Sequence, residues 1–257
     1  MKKSVLLAST ASALFLAGGP TTTAVAQTAA PRTVTCASTA VFNTGADGAG
    51  GKLAVSNVAD PSWGYATGSS SSYPPPSTTW GTPVTGQLST SAWVWTDSNT
   101  VSPQAQWLTR DATLNGSPNN YYRYVFNLAA NVDPAQLQVT TTYYADDGVT
   151  AIYVNGQAAP SLQPNAWATG SPRETVPGTT TLSGNWVAGT NEVIVAVGNS
   201  GNSPSGLLVN TAIANCATLA APAQVPTMEV WGLASLAALM SLGASFGLAR
   251  RSRRRSA

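Results

Sequence analysis

Short segments in which apolar and polar positions alternate recur through the middle of this 257-residue chain. In residues 121–128 (YYRYVFNL), every second residue from Tyr122 to Leu128 is apolar, while Arg123 and Asn127 fall on the other face. The same period of two marks residues 92–96, 137–144, 151–154, 193–197 and 206–213. Such alternation is typical of half-buried strands, and the segments between the two ends of the chain have no helical period. The pattern predicts an all-β, two-sheet sandwich of roughly eight to ten short strands.

Asp-Gly and Asn-Gly pairs and a proline-rich stretch separate these segments. Asp147-Gly148 and Asn155-Gly156 accept positive φ at little cost, so we predict a tight hairpin connection at each. Residues 67–82 (TGSSSSYPPPSTTWGT) have no apolar period and contain three consecutive prolines, which indicates a long surface loop with polyproline II character.

The first 26 residues have the pattern of a secretory signal peptide. Lys2 and Lys3 precede an apolar run over residues 5–17, and Ala-Val-Ala at 24–26 fits a small-residue cleavage site before Gln27. An uncleaved anchor is the alternative, but ~13 apolar residues are fewer than the ~20 that a membrane-spanning helix needs. We therefore expect an exported protein.

The end of the chain predicts a second membrane element. Residues 231–249 are 19 uncharged residues, which as a helix are long enough to cross a hydrocarbon core of ~30 Å. Five arginines follow, namely Arg250, Arg251, Arg253, Arg254 and Arg255. Because positive flanks stay in the cytoplasm, we expect a transmembrane helix with the preceding domain on the other side of the membrane. Residues 217–224 (ATLAAPAQ) are predicted to be a spacer.

Charge and composition exclude several classes of function. Five basic and nine acidic residues lie between Gln27 and Gln224, a net charge of −4, so a basic face for nucleic acid is not expected. The chain contains no histidine, which excludes a Ser-His-Asp triad and a histidine-ligated zinc centre. We expect no enzymatic activity, although a glycoside hydrolase with two carboxylates stays open as an alternative.

Asp146 and Asp147 are adjacent, and neighbours on a strand point to opposite faces, so they are poorly placed as a catalytic pair. They are interpreted as turn residues before Gly148, with a structural Ca²⁺ site as the alternative.

Two cysteines and seven tryptophans complete the candidate chemistry of the exported part. Outside the cytoplasm Cys36 and Cys216 are expected to form a disulfide that closes a domain over residues 33–216, the alternative being two buried thiols. The tryptophans of this part are Trp63, Trp80, Trp93, Trp95, Trp107, Trp167 and Trp186. Each is either core or a flat surface on which a sugar ring stacks. Because their surroundings are typical of loops, Trp63 and Trp80 are the predicted binding residues, and Tyr65 and Tyr73 complete that patch.

Residues 225–232 (VPTMEVWG), with the apolar segment and the arginines behind them, resemble the IPTL-CTERM sorting signal, a relative of the PEP-CTERM signals of Gram-negative bacteria. The residues that correspond to the motif are Val225, Pro226, Thr227, Met228, Trp231 and Gly232, with Val and Met standing where the motif has Ile and Leu. The resemblance implies that the helix lies in the inner membrane with the preceding domain in the periplasm. It also implies that a membrane protease of the exosortase type recognises and processes residues 225–257. The protein would then reach the cell surface or the extracellular matrix, whereas the alternative is a plain C-terminal anchor.

Residues 41–63, 145–156 and 184–210 together resemble a galactose-binding-like jelly-roll module of bacterial surface proteins. The later two segments together match the module's pattern of an acidic turn, a strand ending in Asn-Gly, and Gly-Thr-Asn before a valine-rich strand. The resemblance implies a jelly-roll fold more than a ligand. We expect a non-enzymatic surface protein that binds a glycan, or a structural adhesion component without a defined small ligand.

Overall fold

In the computed structural model, the chain divides into two compact units, residues 1–218 and residues 219–257. The residues that the structure describes are Gln27, 29–68, 79–88, 95–114, 116–159, Leu162, 176–200, 203–220, Gly232 and 234–240. In the second unit, Gly232 and residues 234–240 are helical. No helix among the described residues is both long and apolar enough to span a membrane, and most of the predicted span 231–249 lies outside them.

The first unit is a mostly β structure of two sheets, as the alternating pattern predicts. The six-stranded sheet contains β1 (Arg32–Val34), β2 (Trp63–Gly68), β5 (Asn119–Leu128), β7 (Gly148–Val154), β8 (Gln157–Ala158) and β10 (Gly189–Gly198). The five-stranded sheet contains β3 (Val84–Thr85), β4 (Leu108–Thr109), β6 (Gln138–Asp146), β9 (Gly178–Leu182) and β11 (Gly206–Asn215). All pairs are antiparallel except that of β1 with β5.

The long strand β5 organises the six-stranded sheet. The order of strands is β1, β5, β10, β7 and β8, and β2 also pairs with β5. Along one edge β5 pairs with β10 over its whole length. Along the other edge β2 pairs with residues 119–124, and β1 pairs with residues 126–128. The five-stranded sheet has the order β3, β4, β11, β6 and β9.

The hydrophobic core lies between the two sheets. Period-two alternation places Tyr122 and Phe126 of β5 on the inner face, where they meet Val139 and Tyr143 of β6 and Val209 of β11. All five are fully buried or nearly so. Since a strand turns successive side chains to opposite faces, the pattern of the sequence decides which residues enter this core.

The structure confirms one predicted hairpin and corrects the other. Asn155 and Gly156 join β7 to β8 with φ values of 49° and 81°, as a tight turn with positive φ requires. Asp147, in contrast, lies between β6 and β7, which belong to different sheets. The prediction of a hairpin at Asp147-Gly148 is therefore wrong, because the chain crosses there from one sheet to the other.

The outer face of the five-stranded sheet is covered by the segment before β5. Trp95 stacks on Trp107 with ring centroids 4.5 Å apart, and both pack on Leu208 of β11. The part of the predicted strand 92–96 that is described, Trp95 and Thr96, is not in a strand. A four-residue helix, α1 (Ser98–Val101), and a 3₁₀ turn (Pro134–Gln136) also occur, each too short to produce a helical period in the sequence.

Candidate functional site

Two of the residues predicted to bind a glycan are part of the core. Trp63 is fully buried, and its indole N–H donates to the carbonyl oxygen of Asn43 at 3.1 Å. Tyr65 is 6% exposed, and its hydroxyl donates to Oδ1 of Asn120 at 2.5 Å. The prediction that these rings are exposed is wrong, because both belong to strand β2 and alternate residues of β2 face the core.

Trp80 has a different position, on the outer face of the six-stranded sheet. Two hydrogen bonds of 2.7 Å between the backbones of Tyr65 and Gly81 hold the segment that contains Trp80 beside β2. The indole lies against Gly64, where an added Cβ would come within 3.4 Å of Cε3. Trp80 remains partly exposed, as the sequence predicts.

A charged pair lies beside the Trp80 ring. The guanidinium carbon of Arg123 is 5.6 Å from the ring centroid, a distance at which a cation and an aromatic face attract. Nε of Arg123 is also 2.5 Å from Oε2 of Glu192 on β10. The two charged side chains are 23% and 28% exposed. We call Trp80, Arg123 and Glu192 the Trp80 patch; it combines a flat apolar ring, hydrogen-bond donors and a carboxylate acceptor.

The sheet next to the Trp80 patch carries a buried aromatic and aliphatic cluster. Tyr121, Ile194 and Ala196 are at most 2% exposed, and Trp80 and Tyr153 pack against them. The Tyr121 ring occupies the space over Gly68, where an added Cβ would lie 2.6 Å from the ring. The centre of this cluster is buried, and the partly exposed Trp80 packs against it.

Asp146 and Asp147 each accept a hydrogen bond from the protein. Nε1 of Trp95 donates to Oδ2 of Asp146 at 2.8 Å, and the backbone N–H of Ser200 donates to Oδ2 of Asp147 at 2.5 Å. The described residues contain no group of three or more His, Cys, Asp or Glu side chains that could hold a metal. The calcium site stays a prediction, and both carboxylates are hydrogen bonded at the crossing between the sheets.

The segments that resemble the jelly-roll module contact one another through asparagines. Nδ2 of Asn155 donates to Oδ1 of Asn191 at 2.9 Å and to the carbonyl of Asn185 at 2.7 Å. The backbone N–H of Glu192 donates to Oδ1 of Asn155 at 2.8 Å. Asn191 is fully buried and also bonds both backbone groups of Val187. The Asn-Gly and Gly-Thr-Asn motifs therefore stabilise the fold at one end of the sheet.

The first segment of the same resemblance is also structural. Oδ1 of Asn43 accepts from the backbone N–H and the hydroxyl of Thr211, at 2.7 and 2.8 Å. The backbone N–H of Gly45 donates to Oδ2 of the buried Asp60 at 2.8 Å. Burial raises the pKa of the Asp60 carboxyl to about 6, while hydrogen bonds from three backbone N–H groups act in the opposite direction.

A further buried asparagine, which is not among the residues predicted from the sequence, joins several elements of the sandwich. Asn120 of β5 is fully buried, and Nδ2 donates to the carbonyl of Ser117 at 2.7 Å and to Oγ of Ser205 at 3.2 Å. Its Oδ1 accepts from Ser117 N–H and from the Tyr65 hydroxyl. The only signal of this role in the sequence is a polar residue at an inward position of a strand.

The predicted disulfide is confirmed. Cys36 and Cys216 are bonded, with Cα atoms 5.4 Å apart and a sequence separation of 180 residues. Immediately after the bridge, Thr218 pairs with Val132. The bridge therefore closes nearly the whole sandwich into one covalent loop.

The remaining predicted positions lie outside the described residues. These are Tyr73, the signal peptide 1–26, the motif residues Val225, Pro226, Thr227, Met228 and Trp231, and the arginines Arg250, Arg251, Arg253, Arg254 and Arg255. Gly232 is described and is helical.

No protein-family model matches the chain, and no curated protein matches it. Among solved structures, the chain is similar to a beta-glucosidase from Kluyveromyces marxianus in complex with glucose, with 12% sequence identity and a TM-score of 0.31. The match covers 75% of this chain and 24% of that chain. A similarity at this level carries no argument about the fold or the activity of this protein.

Proposed function

We propose that this protein is a non-enzymatic, exported surface or matrix protein whose β-sandwich binds a glycan at the Trp80 patch. The observation that carries the proposal is a partly exposed indole that lies against Gly64, with Arg123 beside it. Glycan recognition needs an apolar surface for the C–H groups of a sugar ring and polar groups for its hydroxyls. The Trp80 patch contains both.

The charges of the patch favour an uncharged glycan. Arg123 supplies N–H donors and Glu192 supplies an acceptor, and their 2.5 Å contact makes the pair neutral overall. A sugar with neighbouring hydroxyl groups can accept from the guanidinium and donate to the carboxylate. An acidic glycan gains no net electrostatic attraction from this neutral pair.

The fold is proposed to be a galactose-binding-like jelly roll. Support comes from the two-sheet arrangement, in which β5 to β7 and β9 to β11 cross between the sheets at each step. Contacts within the resembling segments, such as Asn155 with Asn191 and Gly45 with Asp60, also support it.

Residues 225–257 are proposed to be a sorting signal that holds the protein in the inner membrane until a protease of the exosortase type removes it. The motif, the uncharged segment and the arginine cluster occur in the order that such a signal requires. Mass spectrometry of the mature C-terminus tests this proposal. A mature protein that retains Arg250 to Arg255 would refute it.

Binding of the purified exported protein to a glycan array tests the proposed ligand class. Trp80→Ala is expected to weaken binding roughly fivefold to tenfold, because stacking on an aromatic ring contributes about 1 kcal/mol. Trp80→Phe keeps a flat ring and is expected to retain most of the binding. Gln157→Ala, an exposed change on β8, is the control.

A blank array would refute glycan binding. If a deletion strain then lost biofilm or cell aggregation, a structural adhesion role without a small ligand would replace the proposal. Turnover of a polysaccharide by the wild-type protein would refute the non-enzymatic assignment, and Asp and Glu replacements would then identify the carboxylates.

A further inference from the structure

The side chain of Gln27 is buried against strand β5. Gln27 is 8% exposed. Its Nε2 donates to the carbonyl oxygen of Val125 at 3.0 Å, and its Oε1 accepts from the backbone N–H of the same residue at 3.0 Å. One carboxamide thus satisfies both backbone groups of one strand residue.

The position of this contact explains its geometry. Strand β2 pairs with β5 as far as Tyr124, and β1 begins its pairing at Phe126. Val125 is the residue between the two registers. A carboxamide carries the same donor and acceptor as a peptide group, so the Gln27 side chain takes the place of a strand residue at this point. The edge of β5 is then continuously hydrogen bonded from Asn119 to Leu128.

Gln27 also directly follows the small-residue site at 24–26. We propose that the mature protein begins at Gln27 and that docking of its carboxamide on Val125 protects this N-terminal glutamine from cyclising to pyroglutamate. The proposal rests on the export proposed above. It adds a chemical consequence of cleavage at this residue.

Cyclisation of an N-terminal glutamine breaks one of the observed contacts. The α-amino nitrogen attacks Cδ, a new C–N bond forms, the Cδ–Nε2 bond breaks, and Nε2 leaves as ammonia with a proton from the amine. Nε2 is the atom that donates to the carbonyl of Val125. The carboxamide must therefore leave β5 before it reacts, so the rate follows the small population of the locally opened state.

The mass of the N-terminal peptide of the exported protein, followed over time, tests the proposal. One sample stays folded with its disulfide intact, and a second is denatured and reduced. A synthetic peptide of residues 27–32 (QTAAPR) gives the unprotected rate. We expect the folded protein to lose ammonia at least roughly tenfold more slowly than the peptide, and the denatured protein to react like the peptide.

The two parts of the proposal fail in different ways. A mature N-terminus at another residue would overturn the cleavage position. An N-terminal Gln27 that cyclises as fast in the folded protein as in the peptide would overturn the protection. Neither readout involves a glycan, so both are independent of the Trp80 patch.

Thermal unfolding gives a second test of the docking itself. Gln27→Ala leaves the N–H and C=O of Val125 without these partners, and Gln27→Glu cannot donate to that carbonyl. Each change is expected to lower Tm by roughly 5 °C. Gln157→Ala, at an exposed glutamine, is the matched control. If Gln27→Ala unfolds at the same temperature as this control, the docking is refuted.

Discussion

The buried carboxamide of Asn120 connects strand β5 to three other parts of the sandwich, and its removal is expected to destabilise the whole domain. Asn120 lies on β5, accepts from the Tyr65 hydroxyl of β2, and donates to Oγ of Ser205, directly before β11. It also donates to the carbonyl of Val197 on β10 at 3.4 Å. Asn120→Ala removes these contacts at a position that solvent does not reach.

The size of the effect follows from the groups that lose a partner. The Tyr65 hydroxyl and the backbone N–H of Ser117 both donate to Oδ1 of Asn120. A buried polar group without its hydrogen bond costs about 1 to 3 kcal/mol, and the lost carboxamide leaves a small cavity. We expect Asn120→Ala to reduce the free energy of unfolding by roughly 3 to 5 kcal/mol. For a domain of this size, that lowers Tm by ~10 to 15 °C.

Urea and thermal unfolding of the β-sandwich domain, followed by tryptophan fluorescence, measure this loss. The adjacent Asn119→Ala is the control, because Asn119 is partly exposed and is expected to change stability by less than about 1 kcal/mol. Tyr65→Phe removes one partner only, and the double variant with Asn120→Ala should be less destabilised than the sum of the two. A Tm for Asn120→Ala within about 2 °C of wild type would refute the assigned role.

Two further predictions concern the disulfide and Asp60. In the chain-entropy model, the 180-residue separation of Cys36 and Cys216 corresponds to ~5 kcal/mol of stability. A Cys36→Ser/Cys216→Ser variant should therefore lose about that much free energy of unfolding in urea. A loss under ~1 kcal/mol would contradict this. The pKa of Asp60 is raised from 3.8 to about 6, so between pH 3.8 and about 6 the folded protein binds more protons than the unfolded chain. The free energy of unfolding should therefore fall as pH rises through this range, by up to about 3 kcal/mol. In Asp60→Asn this contribution to the pH dependence should disappear, and an unchanged slope between pH ~4 and ~7 would show that Asp60 is not its source.

Much of the fold follows from local pattern. The alternation in residues 121–128, 193–197 and 206–213 identifies β5, β10 and β11 with errors of at most four residues at their ends. It does so because one face of each strand must be apolar to enter the core. Asn155-Gly156 identifies its hairpin, since both residues need positive φ. The crossing at Asp147 could not be predicted in this way, because it depends on which distant strands pair with β6 and β7.

The candidate site could likewise be predicted only in part from local pattern. Trp63 and Trp80 have similar neighbours in the sequence, yet Trp63 is fully buried and Trp80 is partly exposed. The difference arises because Trp63 begins a strand paired with β5 and faces inward, whereas Trp80 returns over the outer face of the same strand at Gly64. Arg123 lies beside Trp80 because β5 pairs with β2 at Gly64, and Glu192 reaches them through the pairing of β5 with β10.

The sequence by itself determined the chemistry and the strands: no histidine, few charges, period-two segments, and two cysteines at the ends of the domain, which the structure joins. Tertiary structure alone decided which aromatic rings are exposed, which asparagines are buried, and that Gln27 completes the edge of β5. The physical reason is the separation in sequence over which each kind of interaction acts. Alternation and turn preferences act between residues close in sequence, whereas the contact of Gln27 with Val125 joins residues 98 positions apart.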